Sequence, residues 1–117
     1  MAHQFVVVTV SRRIAQVALN HPPANVLSIA ALKELDQVFM ELEAATDIRV
    51  VVITGTGRFF CAGADLKELA LLNAAHSGSD FAGRGQALLN RIERFDKPVI
   101  AAINGTCVGG GLELASA

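Results

Sequence analysis

Two short stretches carry the residue types that could do chemistry. In "NGTCVGGGLELASA" (104–117) three glycines, Gly109, Gly110 and Gly111, run into a carboxylate, Glu113. A helix that opens inside such a run bares backbone N–H groups that have no intrahelical partner, and the peptide dipoles add partial positive charge there. Glycine also removes the side chain that would block a ligand oxygen. The second stretch, "TGRFFCAGAD" (56–65), is another glycine-rich exit from an apolar run. A donor from "CAGAD" paired with one from the triple glycine would make a two-donor oxyanion hole. The same glycines would also serve tight packing or a positive φ, and a glutamate on a helix is by default solvated. Its apolar neighbours Leu112, Leu114 and Ala115 place Glu113 beside packed surface.

Other chemistries fit these residues poorly. "GTGRFF" (55–60) matches the first two glycines of a dinucleotide-binding fingerprint, but Phe60 stands where the third belongs and no acidic residue follows at the required distance. His76 and Asp80 do not supply it. Lys67 lacks the context of a phosphate-binding loop, and no GxSxG is present for a serine hydrolase. His3, His21 and His76 fall on a terminus and two expected loops and read as surface residues. Cys61 and Cys107 have neither CxxC spacing nor a histidine at metal-ligand spacing, so they read as reduced, buried, small apolar side chains, with no metal site expected.

Composition narrows the class. The chain has 117 residues, one domain's worth, of which 52% are hydrophobic, yet no apolar run approaches the roughly 18 to 20 residues that span a bilayer. No membrane association is expected. A net charge of −1, no basic cluster and no Trp or Tyr argue against a nucleic-acid surface. "MAHQFVVVTVSRR" carries its charge after a short β-branched run, unlike a signal peptide. A cytoplasmic location is the default expectation, with the mitochondrial matrix as the alternative if a leader has been removed.

The elements that must hold these stretches follow from apolar periodicity. "QFVVVTV" (4–10) and "IAQVALN" (14–20) read as an antiparallel hairpin joined at "SRR", and "HPPANVL" as a proline-broken loop. Ser28 is an N-cap candidate, with Leu27 and Leu32 as a hydrophobic staple, for a helix over 29–45. "RVVVITG" (49–55) reads as a strand covered on both faces. A short helix is expected from Asp65, a mobile polar loop over 73–80, and an amphipathic helix marked by Leu88, Leu89, Ile92 and Phe95. "KPVIAAING" (97–105) reads as a second buried strand, and a last helix begins in the glycine run. In this α/β order a buried strand twice enters a glycine-rich turn that opens a helix, the place where ligands collect in α/β folds.

With those blocks in hand, a resemblance emerges. "FCAGADLKEL" (60–69) with "KPVIAAINGTCVGGGLELA" (97–115), preceded in order by "ALNHPPANVLS" (18–28) and "VVVITGTGRFFCAGADL", closely resembles the enoyl-CoA hydratase/isomerase, or crotonase, superfamily. The likeness covers essentially the whole chain. It implies an α/β fold of the crotonase-like ββα-superhelix type, incomplete at the C-terminus, with residues 1–117 forming the N-terminal part of a single domain. It also implies an acyl-CoA thioester as substrate and partner, with no separate cofactor because coenzyme A belongs to the substrate. By motif position the oxyanion-hole donors fall on Ala64 and Gly110. Glu113 matches the first of two glutamates used by the hydratases. Ala62, Ala64, Asp65, Leu66 and Lys67 correspond to the stretch that lines the thioester and the nucleotide end of coenzyme A.

The reaction implied is addition of water across the 2,3 double bond of an enoyl thioester, with the enolate charge held by the two N–H groups. Glu113 favours hydration over double-bond isomerisation, although the superfamily's bifunctional hydratase/isomerases keep both glutamates. The second glutamate and the helices that build trimers or hexamers correspond to a segment beyond Ala117. A non-catalytic acyl-CoA-binding relative that kept the fold is the alternative from a different class. The isolated 117-residue chain, with a short final helix, is expected to be poorly stable.

Overall fold

The computed structural model describes residues 3–74 and 78–117, so His76 lies outside the described residues. The elements run β1 (Val6–Ser11), β2 (Ile14–Leu19), β3 (Val26–Leu27), α1 (Ile29–Ala44), β4 (Val50–Gly55), β5 (Phe59–Cys61) and β6 (Gly63–Ala64). They continue with α2 (Leu66–Ala74), α3 (Gly78–Glu93), β7 (Val99–Ala101), β8 (Thr106–Cys107) and α4 (Gly110–Ser116).

Hairpin β1–β2 closes at Arg12 and Arg13, both at positive φ (51° and 67°), the geometry that matches the twist of paired strands. The carbonyl of Arg13 accepts from Arg49 N–H at 2.8 Å, which starts β4 alongside β2. Strands β2, β4 and β7 are parallel, giving a four-stranded sheet of order β1-β2-β4-β7.

One face of this sheet is packed. Val6, Val17, Leu19, Val51 and Ile53 meet Leu35, Val38 and Phe39 of α1 and Leu88 and Ile92 of α3 in one core. Ser28 Oγ accepts from Ala31 N–H at 3.0 Å and caps α1, and the staple residues Leu27 and Leu32 are both buried. At the other end of α1, Lys97 Nζ donates to the carbonyls of Leu42 and Ala45, each at 2.6 Å, so a cation sits where the helix dipole ends in partial negative charge.

Several expectations are corrected. Strand β4 alternates between buried Val51 and Ile53 and half-buried Val50 and Val52, because the helices cover one face only. The apolar run 97–105 gives only a three-residue strand on the edge of the sheet, with Ile100 and Ile103 exposed. Of the loop expected over 73–80, residues 73–74 end α2 and residues 78–80 begin α3; the rest lies outside the described residues. His21 is no free surface residue: its ring lies 4.4 Å from that of Phe5 and its Nδ1 is 3.0 Å from the Val26 carbonyl. His3 approaches Glu34 at 4.0 Å, since residues 3–5 fold back on α1, where Glu34 also accepts from Phe5 N–H. Cys61 is buried as expected, but Cys107 is only half-buried because β8 has a single strand partner.

Candidate active site

The first glycine-rich turn is held by a bridge too short to show periodicity. β6 pairs in parallel with β3, Val26 opposite Gly63 and Leu27 opposite Ala64. Asp65 N–H donates to the Leu27 carbonyl at 3.0 Å. Successive N–H groups along a strand point to opposite edges; that of Ala64 therefore points away from β3. Gly63 stands at φ +96°, and a β-carbon there would lie 2.9 Å from the nitrogen of Gly110, so only glycine fits.

Beneath the turn, Asn25 is almost fully buried at 1% exposure and at φ 52°. Its Nδ2 donates to the carbonyls of Thr56 (3.1 Å), Phe59 (2.9 Å) and Phe60 (3.3 Å), while its Oδ1 accepts from His21 N–H at 2.9 Å. Sequence reasoning missed this residue. The available signal was an asparagine, which tolerates a left-handed backbone, between the paired prolines and an apolar step.

On the far side of the turn, Asp65 caps α2: its Oδ1 accepts from Lys67 N–H at 3.1 Å and Glu68 N–H at 3.3 Å. Glu68 reaches across to accept from Ile29 N–H at the start of α1. The chain from Ala64 into α2 is thus fastened at both ends.

A second short bridge carries the other turn. β5 pairs in parallel with β8, Cys61 opposite Cys107, and Val108 N–H donates to the Cys61 carbonyl at 3.2 Å. Gly109, at φ +54°, turns the chain into α4, whose first N–H belongs to Gly110 and has no intrahelical acceptor. A β-carbon on Gly111 would collide with the carbonyl of Cys61, so this glycine lets α4 lie directly on β5. Burial pushes the Cys61 thiol pKa up and the neighbouring Cys107 adds to the shift, while a hydrogen bond from the Gly63 backbone opposes both.

The two turns meet. A β-carbon built on Gly110 would stand 3.7 Å from the nitrogen of Ala64. Both residues, together with Glu113, line a cavity of about 400 Å³ whose other walls come from Leu27 and Leu32 and from α3. Glu113 is exposed at this wall, between exposed Leu112 and buried Leu114. Ala62, Asp65, Leu66 and Lys67 do not line it; Asp65 is occupied as a cap, and Leu66 and Lys67 are exposed outside. Of the α3 residues of the wall, Gly85, Gln86, Leu88 and Leu89 were not read as site residues, since Leu88 and Leu89 carried only a core signal. Among the described residues no group of three His, Cys, Asp or Glu side chains could hold a metal, and no helix is long and apolar enough to cross a membrane.

The arrangement is thus two residues of adjoining glycine-rich turns, Ala64 and Gly110, and an acidic residue, Glu113, lining one apolar cavity. Comparison with known proteins points the same way. The family model for enoyl-CoA hydratase/isomerase matches residues 9–117. A probable enoyl-CoA hydratase of Bacillus subtilis is 47% identical over 108 residues, covering 92% of this chain and 42% of that protein. A short-chain-enoyl-CoA hydratase of Clostridium acetobutylicum is 41% identical over 105 residues, covering 88% of this chain and 40% of its own length. The chain therefore spans about two fifths of the length of these relatives. The crystal structure of an enoyl-CoA hydratase from Bacillus anthracis superposes with a TM-score of 0.85 at 36% identity, covering 96% of this chain and 44% of that one. One from Magnetospirillum magneticum, an enoyl-CoA hydratase/carnithine racemase, gives 0.91 at 35% identity, covering 97% and 44%. The fold is the crotonase fold in part, and the chain belongs to the enoyl-CoA hydratase/isomerase family.

Proposed function

We propose that this chain carries the oxyanion-hole part of an enoyl-CoA hydratase. The observation that supports the reading is the meeting of Ala64, Gly110 and Glu113 on one apolar cavity. The thioester carbonyl oxygen accepts from the N–H groups of Ala64 and Gly110. Water attacks C3, the π electrons move through C2 onto that oxygen as an enolate, and a proton then returns to C2. Glu113 holds and polarises the water as general base. Each fixed donor is worth about 3 to 4 kcal/mol to the transition state, by analogy with donors removed from other oxyanion holes.

On this reading the partner is an acyl-CoA thioester, and coenzyme A enters only as part of it. Asp65 shapes the turn on which Leu66 and Lys67 are presented toward the nucleotide end. Trimers or hexamers of the whole protein, and a cytoplasmic or matrix location, belong to the same proposal.

The test is crotonyl-CoA, followed by the absorbance of its conjugated thioester and by its affinity. Hydration that falls on Glu113→Gln by about 100-fold or more, the range of general acid–base effects, with affinity kept, supports the reading. Binding with no loss of the absorbance would favour a non-catalytic acyl-CoA-binding protein, and movement of the double bond without hydration would favour an isomerase.

A further inference from the structure

Gly85 stands in the middle of α3, where a glycine costs about 0.5 to 1 kcal/mol relative to alanine. Nothing local calls for it. A β-carbon there would have no atom within 4 Å, and its φ is not positive. What Gly85 does face is the cavity, whose α3 wall rises at Phe81 and again at Leu88 and Leu89 and drops between them at Ala82 and Gly85. These positions recur at helical spacing, so they form one face of α3 with a notch at its centre.

The chemistry of the lining says what the notch would take. Among the described residues the polar side chains of the wall are Glu113 and Gln86, and one hydrogen of the Gln86 amide is engaged with Asn90 Oδ1 at 3.1 Å. Among the described residues the lining holds no cation to pair with a carboxylate tail, and the side chains that flank Gly85 on the cavity face, Phe81, Ala82, Leu88 and Leu89, are apolar. Burying a carboxylate without a partner is costly, whereas each buried methylene is favourable.

We propose that Gly85 is a specificity-determining position: its missing side chain admits an apolar acyl chain longer than four carbons. The proposal rests on the acyl-CoA reading above and adds the class of acyl group. Gly83 supplies an internal control. It lies in the same helix, a β-carbon there also meets nothing within 4 Å, but it is exposed and does not line the cavity.

The experiment is calorimetric titration of the protein and of its Gly85→Leu and Gly83→Leu variants with butyryl-CoA and decanoyl-CoA, with circular dichroism to compare their folding. The ratio of the two affinities is the readout. It should favour decanoyl-CoA in the parent and in Gly83→Leu, and fall by about tenfold or more in Gly85→Leu, the discrimination usual for lost methylene contacts. A parent without that preference, a ratio unchanged in Gly85→Leu, or the same fall in Gly83→Leu would overturn the assignment while leaving the acyl-CoA reading intact. Failure of the parent to bind either thioester would overturn both.

Discussion

The side-chain amides of Asn25 and Asn104 donate to one acceptor, the carbonyl oxygen of Phe59, at 2.9 and 3.2 Å. Asn25 comes from the proline-containing loop before α1, and Asn104 from the segment after β7. Asn104 also accepts from Gly55 N–H at 3.0 Å and donates to the Gly57 carbonyl at 3.0 Å. The 55–60 turn, which delivers β5 to the site, is thus gripped by two residues far apart in sequence. Their surroundings differ, since Asn25 is buried and Asn104 exposed.

That difference sets the first prediction. Asn25→Ala removes a buried amide, leaves the interior Phe60 carbonyl without its donor, and puts at φ 52° a residue that lacks the side-chain hydrogen bonds by which asparagine tolerates a left-handed backbone, for a loss of about 2 to 4 kcal/mol. Asn104→Ala leaves groups that water can reach and costs about 1 kcal/mol. Urea unfolding of the two variants measures the gap, and equal losses would contradict it.

The Cys61 thiol makes stability depend on pH in the alkaline range. Its folded pKa is raised above the ordinary thiol value of 9.0, chiefly by burial. The unfolded chain therefore releases this proton first as pH rises past that value. Between the two pKa values the unfolded state binds fewer protons, so stability is fully present below about pH 9 and falls above it. Urea midpoints from pH 7 to 10.5 should decline more steeply in the parent than in Cys61→Ala.

Gly110→Pro removes one proposed donor and puts the ring Cδ where its hydrogen stood, while proline is tolerated at the first position of a helix. Its N–H is lost while the start of α4 is kept. Hydration of crotonyl-CoA should fall about 100- to 1000-fold in kcat, whereas Gly110→Ala, which keeps the N–H and meets only ordinary contacts, should fall far less. Equal losses in the two variants would mean the N–H is not the group that matters.

Lys97→Met keeps the unbranched stem of the side chain and deletes the cation that closes α1. Two charge-assisted hydrogen bonds to the carbonyls of Leu42 and Ala45 are lost. About 1.5 to 3 kcal/mol should go with them, read as a lowered thermal midpoint with unchanged helix content.

Whatever repeats along the chain could be read from it. Hairpin β1–β2, α1 with its Ser28 cap, β4 and α3 each bury a periodic set of apolar residues, and their expected bounds differ from the observed ones by a few residues. The four bridges that build the site, β3, β5, β6 and β8, are two or three residues long. They show no periodicity because each exists only by pairing with a distant partner. The motif resemblance named Ala64, Gly110 and Glu113, which the fold brings together, but it could not separate them from Asp65, Leu66 and Lys67, which lie outside the cavity. The Asn25 grip was hidden for the same reason as the bridges, since its acceptors lie 31 to 35 residues away.

Cys61 and Cys107 face each other across the ladder between β5 and β8, and each stands three residues before one of the two cavity-lining amides, Ala64 and Gly110. The ladder therefore works like a caliper whose opening is fixed at the pivot. Its jaws are main chain, so the distance between them is indifferent to which side chains furnish the rest of the chamber. A wall such as α3 can be reshaped, residue by residue, without recalibrating the instrument.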